Sequence, residues 1–319
     1  MSKDNKVILT GKHGRPSTKL AYGTMKNGIL VQRRQVFRGK GSTRRLHNQY
    51  YRSFQNNDPE TLIKLPEFSG ENSIIIRWGT REEISTDKGT IIYNTAKAIK
   101  NATDKRFSRI TFEEQNVPSP RLVNPKNISK SMLPIIARPL IHSKGRNFVT
   151  LNSINEFNVH YNRNREGWYY SEFINKDREF RIHAAHGKVL AVMEKVKPSD
   201  NKIAWNRAQN DTDPFVYIPW GEVDKQDLKD VLVAGLEAVE ALELDFGGVD
   251  VMSHNGKPYV LEVNTSPTLN SSPYVAERWG MYFDWLFRSE KRREHWEFDQ
   301  FEKGKSLIWK NFQLKDEKK

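Results

Sequence analysis

Between residues 227 and 264 the chain has little freedom in how it can fold. Over Asp227–Leu244 the apolar residues Leu228, Val231, Leu232, Leu236, Val239 and Leu242 recur at steps of three, one, four, three and three. That spacing lays them along one face of an amphipathic helix, and the stripe is core. Gly247-Gly248 stops the helix, Val249–Met252 resumes as strand, Asn255-Gly256 reverses the chain, and Tyr259–Val263 returns as the second arm of a hairpin closed off by Pro267.

The rest of the chain is read outward from this unit. Near the N-terminus a short apolar strand, Val7-Ile8-Leu9, precedes Gly11, Gly14 and a helix opened by Ser17-Thr18, while 29–45 is basic and broken by glycine. A cleaner strand, Ile74–Trp78, ends at Gly79; helical stretches follow at Thr95–Ile99 and Lys105–Gln115, closed by Val117-Pro118-Ser119-Pro120. Alternating strand and helix is the pattern of an α/β lobe. From 134 onward strands crowd together at Pro134–Leu140, Phe148–Leu151, Trp168–Ile174, Glu179–Ala184 and Lys188–Met193, with turn signals at Ser143-Lys144-Gly145 and His186-Gly187 that suggest antiparallel hairpins. The last forty residues mix both charges with Trp285, Trp296 and Trp309, as expected of a helical extension packed on the body by its aromatics.

Composition removes whole classes of function. Without cysteine there is no disulfide framework, thiolate zinc site or cysteine nucleophile, which fits a reducing, cytoplasmic setting. No apolar run approaches the roughly 18–20 residues of a membrane helix, and the polar opening Met1–Lys6 lacks the apolar segment of a secretory signal, so no membrane is expected as partner. The net charge of +13 is lopsided: residues 1–60 hold 13 basic and three acidic side chains, so +10 of it sits in the first fifth. Arg33-Arg34 and Arg44-Arg45, with Tyr50, Tyr51 and Phe54, could follow a phosphate backbone and stack bases, so a nucleic-acid-binding arm is one reading of this stretch.

Chemistry concentrates on the hairpin. Glu262 and Asn264 are two apart on one strand and leave the same face. A turn centred on Gly256, with the loop Asn255-Gly256-Lys257, sets Asp250 opposite Glu262; a turn centred between Asn255 and Gly256 makes Asp250 face away. In the first register three oxygen-bearing side chains converge with Val249, Val251, Leu261 and Val263 behind them, a donor set suited to a hard cation shared with phosphates.

Gly-Gly-Val-Asp-Val-Met (247–252) followed by Tyr-Val-Leu-Glu-Val-Asn-Thr-Ser-Pro (259–267) resembles the metal-binding signature of the ATP-grasp superfamily, in the branch containing the ribosomal-protein glutamate ligase (RimK-like). Other segments fall in the order that family requires. Asn101–Lys105 with Phe112–Pro120 resembles the helix that opens the nucleotide domain, with Lys105 as its phosphate-facing lysine. Pro134–Pro139 resembles the next strand, carrying Arg138 where a lysine is usual. Glu172-Phe173-Ile174 resembles the hinge that holds adenine, Glu179 matches the ribose-binding acid, and Leu261 falls among the nucleotide-binding positions. Arg181 matches an arginine facing the active site, Lys195 lies where a basic residue often meets phosphate, and Asn206-Arg207 suits the substrate-side loop. The glycine-rich lid is reduced to 142–147, so Lys144, Arg146 and His142 have to supply side-chain donors in place of backbone N–H groups. The match covers about residues 100–270.

The resemblance implies an α/β fold divided into a basic pre-ATP-grasp lobe at 1–100, a lid at 101–174, a central subdomain with the metal site at 175–280, and the helical extension at 281–319. It implies ATP and one or two Mg²⁺, with Mn²⁺ as an alternative, held by Asp250, Glu262 and Asn264. The implied reaction is carboxylate–amine ligation through an acylphosphate, on an acidic or macromolecular acceptor such as a peptide or protein tail. Two alternatives stand beside it, an ATP-grasp small-molecule kinase and the nucleic-acid-binding protein. Oligomeric state is not read from the sequence.

Overall fold

A computed structural model describes residues 6–11, 31–34, 73–79, 81, 88–140, 148–164, 166–195, 215–219, 228–268, 274–275, 278–279 and 282. The helix at Ser17-Thr18, the turn at 143–145, Lys144, Arg146, His142, Arg207 and the extension at 283–319 lie outside these residues. Among the described residues no helix is long and apolar enough to cross a membrane.

The expected α/β pattern of the first hundred residues becomes a parallel sheet of four strands, β1 (Lys6–Gly11), β2 (Val31–Arg34), β3 (Ser73–Trp78) and β4 (Ile91–Tyr93), in the order β2-β1-β3-β4. The second strand falls inside the stretch whose glycines and charges obscured it. Strand β3 carries the apolar residues Ile74, Ile75, Ile76 and Trp78 around a buried Arg77, as suits a parallel strand covered on both faces, and Ile75, Ile76 and Trp78 have no solvent exposure.

Helices α1 (Ala96–Thr103) and α2 (Lys105–Glu114) follow. Thr95 caps the first, accepting from the Ala98 amide, and Asp104 caps the second, accepting from the amides of Arg106 and Phe107 at 3.0 Å each. The Asp104 cap starts α2 at Lys105 and so fixes where that lysine's side chain leaves the helix.

A three-stranded antiparallel sheet comes next, β5 (Ile135–Pro139), β6 (Val149–Leu151) and β7 (Trp168–Glu172), in the order β6-β5-β7. Between its last two strands lies α3 (Ile154–Arg163), a helix missing from the sequence reading. The Ser153 hydroxyl caps it by accepting from the Glu156 amide, and the Glu156 carboxylate accepts from the Asn152 amide. Phe157 packs on Tyr170, Ile135 and Leu151 beneath this sheet. Tyr169 and Tyr170 are buried.

The largest sheet is antiparallel and contains β8 (Arg178–Ala185), β9 (Lys188–Lys195), β10 (Phe215–Ile218), β11 (Phe246–His254) and β12 (Lys257–Asn264), ordered β10-β9-β8-β11-β12. Helix α4 (Lys229–Ala241) covers one face, burying Val231, Leu232, Leu236 and Val239 against Phe180, Ile182, Val192, Val249, Val251, Val260 and Val263. Its stripe is as expected, with ends shorter by two and three residues.

The hairpin departs from both registers read from the sequence. Its turn is the two-residue Asn255-Gly256, both at positive φ (50° and 74°), which pairs His254 with Lys257 and Val251 with Val260. That is the register in which Asp250 was expected to face away. A β-bulge corrects it: past Val260 the pairing shifts by one, so that Asp250 opposes Glu262, Val249 opposes Val263 and Gly248 opposes Asn264. Leu261 is the extra residue. It is partly exposed and absent from the core, and Val260 takes its expected place in the apolar set.

Asn94 and Trp78 are among the described residues that tie the parallel sheet to the central one. Asn94, fully buried at φ 60°, donates to the Phe246 carbonyl at 3.0 Å and accepts from the Asp245 amide at 2.8 Å. Trp78 stacks on Phe246, with ring centroids 5.6 Å apart, and meets Trp279 edge-on at 4.9 Å.

Candidate functional site

The face of the central sheet opposite α4 carries the polar residues. The cross-strand pairs Asp250–Arg181 and Met252–Glu179, with Asp250–Glu262 and Gly248–Asn264 on the other side, put Glu179, Arg181, Asp250, Glu262 and Asn264 on one surface. Lys195 joins them from the end of β9, and Lys105 reaches them from the first turn of α2. At Gly248 a Cβ atom would come within 2.6 Å of the Pro267 side chain, so the missing side chain lets the segment after β12 lie close over this face.

Every carboxylate here already has a cation. The Arg181 guanidinium donates two bonds to Asp250, at 2.7 and 2.9 Å, and stacks over Phe215 at 4.3 Å. The Asn264 amide donates to the same carboxylate at 3.4 Å, which leaves Oδ1 as the acceptor of that side chain. Lys105 pairs with Glu262; Glu179 takes Lys195 at 3.0 Å and also Lys176.

The local fields differ accordingly. Burial alone would raise the Glu262 carboxyl, but the charge and hydrogen bond of Lys105, helped by Arg181 and Arg138, bring it down to about 2. Burial would likewise raise Glu179, and Lys176 and Lys195 outweigh it to hold that group below the ordinary carboxylate range. Asp250 moves the other way: burial, with Glu262 and Glu179 adding to it, outweighs Arg181 and raises the carboxyl. Among the described residues no three His, Cys, Asp or Glu side chains cluster as metal ligands. The oxygen donors are two acids and one amide.

The remaining sequence candidates sort less evenly. Arg138, on β5, projects a positive field onto Glu262 and Lys176 and lies 5.9 Å over the Phe148 ring, so it belongs to this cluster. At the hinge the Glu172 carboxylate is engaged by Arg121, through its amide at 3.0 Å and its Nε at 3.1 Å. The Ile174 carbonyl accepts from the Lys176 amide, whereas no hydrogen bond to the described residues engages the Phe173 backbone. Leu261 stands beside Glu262 through the bulge.

Two residues went unread in the sequence. Lys176, on the loop between β7 and β8, neutralises Glu179, and no pattern in Asn175-Lys176-Asp177 announces it. Arg109, 3% exposed, donates to the Leu261 carbonyl at 3.0 Å and the Pro120 carbonyl at 3.3 Å. It lies four residues after Lys105 and therefore on the same helix face, a signal that was available.

No protein-family model matches the chain. Two curated relatives, the tetrahydromethanopterin:α-L-glutamate ligases of Methanocaldococcus jannaschii and Methanococcus maripaludis, are 25% and 24% identical over 207 and 206 residues. Those alignments cover 58% of this chain and just under two thirds, 66% and 65%, of the relatives' own length. Among solved structures, the ATP-grasp ligase PsnB complexed with minimal precursor, Mg and ADP superposes with a TM-score of 0.59 at 12% identity, over 89% of this chain and 98% of its own. A RimK-domain ATP-grasp protein from Sphaerobacter thermophilus gives 0.52 at 13% (86% and 98%), and the D-alanine–D-alanine ligase of Bacillus anthracis complexed with ATP gives 0.51 at 14% (88% and 94%). The chain has the ATP-grasp fold, as its sequence resemblance implied.

Proposed function

We propose that this chain is an ATP-dependent carboxylate–amine ligase. One observation carries the reading: three carboxylates and their cations, drawn from α2, the hinge loop and four adjacent strands, converge on one sheet face beside the hinge segment. The fold neighbours and the two relatives named as glutamate ligases support it. In this reading 101–174 form the lid, 175–280 the central subdomain, and 1–100 the preceding lobe.

The donor chemistry fits Mg²⁺. Asp250, Glu262 and the Asn264 amide oxygen are hard oxygen donors on neighbouring positions, and they would hold the ion. A bound Mg²⁺ supplies electrostatic screening of a triphosphate. Lys105, Arg138, Lys176 and Lys195 balance the phosphate charge, Arg181 stabilises charge developing at the transferred phosphoryl group, and Glu179 accepts from ribose hydroxyls. The Phe173 backbone offers adenine a donor and an acceptor, and Leu261 an apolar contact.

A carboxylate resists amines because its oxide is a poor leaving group. A carboxylate oxygen attacks the γ-phosphorus and ADP leaves; the amine nitrogen then attacks the acyl carbon, phosphate leaves, and the nitrogen loses a proton to give the amide. The protein positions and neutralises, and no side-chain nucleophile is required. The relatives' names make L-glutamate the first amine to try, and the basic residues 1–60 favour an acidic acceptor.

The test is phosphate release from Mg-ATP with L-glutamate and a panel of carboxylate acceptors, products being read by mass. Release that depends on both substrates, with an amide product and loss in E262Q, is expected. Phosphate retained on the product would make the chain a kinase, and full activity in E262Q would refute the metal assignment.

A further inference from the structure

The bulge in β12 is what lets two consecutive residues, Leu261 and Glu262, stand against the single position Asp250. A strand that alternated without it, in register with its Asn255-Gly256 turn, would set Leu261 opposite Asp250 and send Glu262 to the α4 face. A bulge also strips a peptide group of its ladder partner, and a buried carbonyl left so needs another donor. Here that donor is a side chain. The Arg109 guanidinium bonds the Leu261 carbonyl at 3.0 Å and, at 3.3 Å, the Pro120 carbonyl, while the Val260 amide donates to the Pro118 carbonyl at 2.7 Å.

We infer that Arg109 is a positioning residue for the metal and nucleotide site, acting through the bulge it clamps. Three features support this. Arg109 is buried, yet its hydrogen bonds go to two carbonyls, and among the described residues no carboxylate lies within ion-pair distance. A buried cation held by carbonyls and not by a carboxylate is costly to the fold. Its reach is specific as well: Lys105 and Arg109, one helical turn apart on α2, contact the Glu262 carboxylate and the carbonyl of the residue before it, so a single helix face sets both the charge partner and the backbone of Glu262. A guanidinium is also suited to the task, since its fork spans two acceptors that an ammonium cannot bridge in the same plane. Burial lowers Arg109 to about 10, which leaves it a cation at neutral pH.

The inference rests on the ligase reading only for its probes, ADP and Mg²⁺. In the full-length chain, ADP binding is titrated calorimetrically with Mg²⁺ and with EDTA for wild type, R109K and R109M, and amide hydrogen exchange is followed over 257–264. Expected is a local rise in exchange across 257–264, without a rise in β8 and β9, and a drop of at least fivefold in the factor by which Mg²⁺ strengthens ADP binding; R109K falls between R109M and wild type. R109K keeps charge and bulk, so it carries the test if R109M does not fold. Exchange raised evenly over the sheet, or wild-type exchange at 257–264 with an unchanged Mg²⁺ factor, overturns the inference. If wild type binds no Mg-ADP the ligase reading falls, and the exchange pattern alone decides on Arg109.

Discussion

The pair Arg181–Asp250 allows a prediction in which the two halves of one ion pair behave differently with pH. Both side chains are almost fully buried, at 8% and 11% exposure, and share two hydrogen bonds. Replacing Arg181 by Met leaves Asp250 in a site where burial, Glu262 and Glu179 all disfavour its charge. The carboxyl has an escape, because it can take up a proton. From an ordinary value of 3.8, protonation at pH 7 costs about 4 kcal/mol at ~1.4 kcal/mol per unit, which caps the electrostatic part of the loss. At pH 5 the same cap is only about 1.6 kcal/mol. The sign follows: a carboxyl whose folded-state pKa is raised burdens the fold in full above that pKa, and the burden shrinks as pH falls from there toward the unfolded value. Replacing Asp250 by Asn leaves Arg181 with no such escape, since a guanidinium stays charged. D250N is therefore expected to cost about 3 kcal/mol at both pH values, within the range for a broken buried pair. The double variant should cost well under the sum, about 1–2 kcal/mol, because nothing is left unpaired. Urea unfolding in EDTA, followed by the fluorescence of Trp78 and Trp279 at pH 7 and pH 5, measures all three. An R181M loss that does not shrink at pH 5, or an additive double variant, would refute the reasoning.

Two further outcomes are expected from groups outside the cluster. His183 is fully buried, its Nδ1 accepts from the Trp279 indole at 3.0 Å, and burial with Arg181 nearby lowers it from 6.5 to about 3. The folded chain thus binds fewer protons than the unfolded one between those values, so this contribution is complete above pH 6.5 and is lost as pH falls toward 3, up to about 5 kcal/mol in all; H183Q, which keeps an acceptor for Trp279 but does not titrate, should flatten the acid limb of urea stability between pH 6.5 and 4. N94A should cost about 2–4 kcal/mol in the same assay through the lost bonds to Asp245 and Phe246, and N94G somewhat less, since glycine tolerates the φ of 60°.

What could be read from the sequence was local. The spacing of Leu228 to Leu242 places α4 correctly because a helix face depends only on intervals of three and four. The two-residue interval between Glu262 and Asn264 likewise assigns both to one face. The register across the hairpin was not legible, because the bulge after Asp250 is held by Arg109 and by the Pro118 carbonyl, from elements distant along the chain. The pairing of Lys105 with Glu262 spans 157 residues, and that of Glu172 with Arg121 turns a hinge carboxylate toward a partner no interval foretells. Helix α3 is a different case, since Ser153 and Glu156 stand at the spacing of a helix-capping pair and the crowded strand signals on either side masked it.

The charge arrangement also constrains how the site can fill. On the sheet face and its surroundings Glu179, Asp250 and Glu262 face Lys105, Arg138, Lys176, Arg181 and Lys195. A bare cation would have to compete with Lys105 and Arg181 for its ligands, and a bare triphosphate would have to draw Lys105 and Lys195 from their carboxylates. In the proposed reading, metal and phosphate arriving together would exchange partners with the protein: Asp250 and Glu262 would pass to the cation, and Lys105 and Lys195 to the phosphate. A site so arranged would couple its two ligands, because each removes the competitor of the other. The two cations left over by this count, five against three, match a ligand that remains anionic after its metal is included.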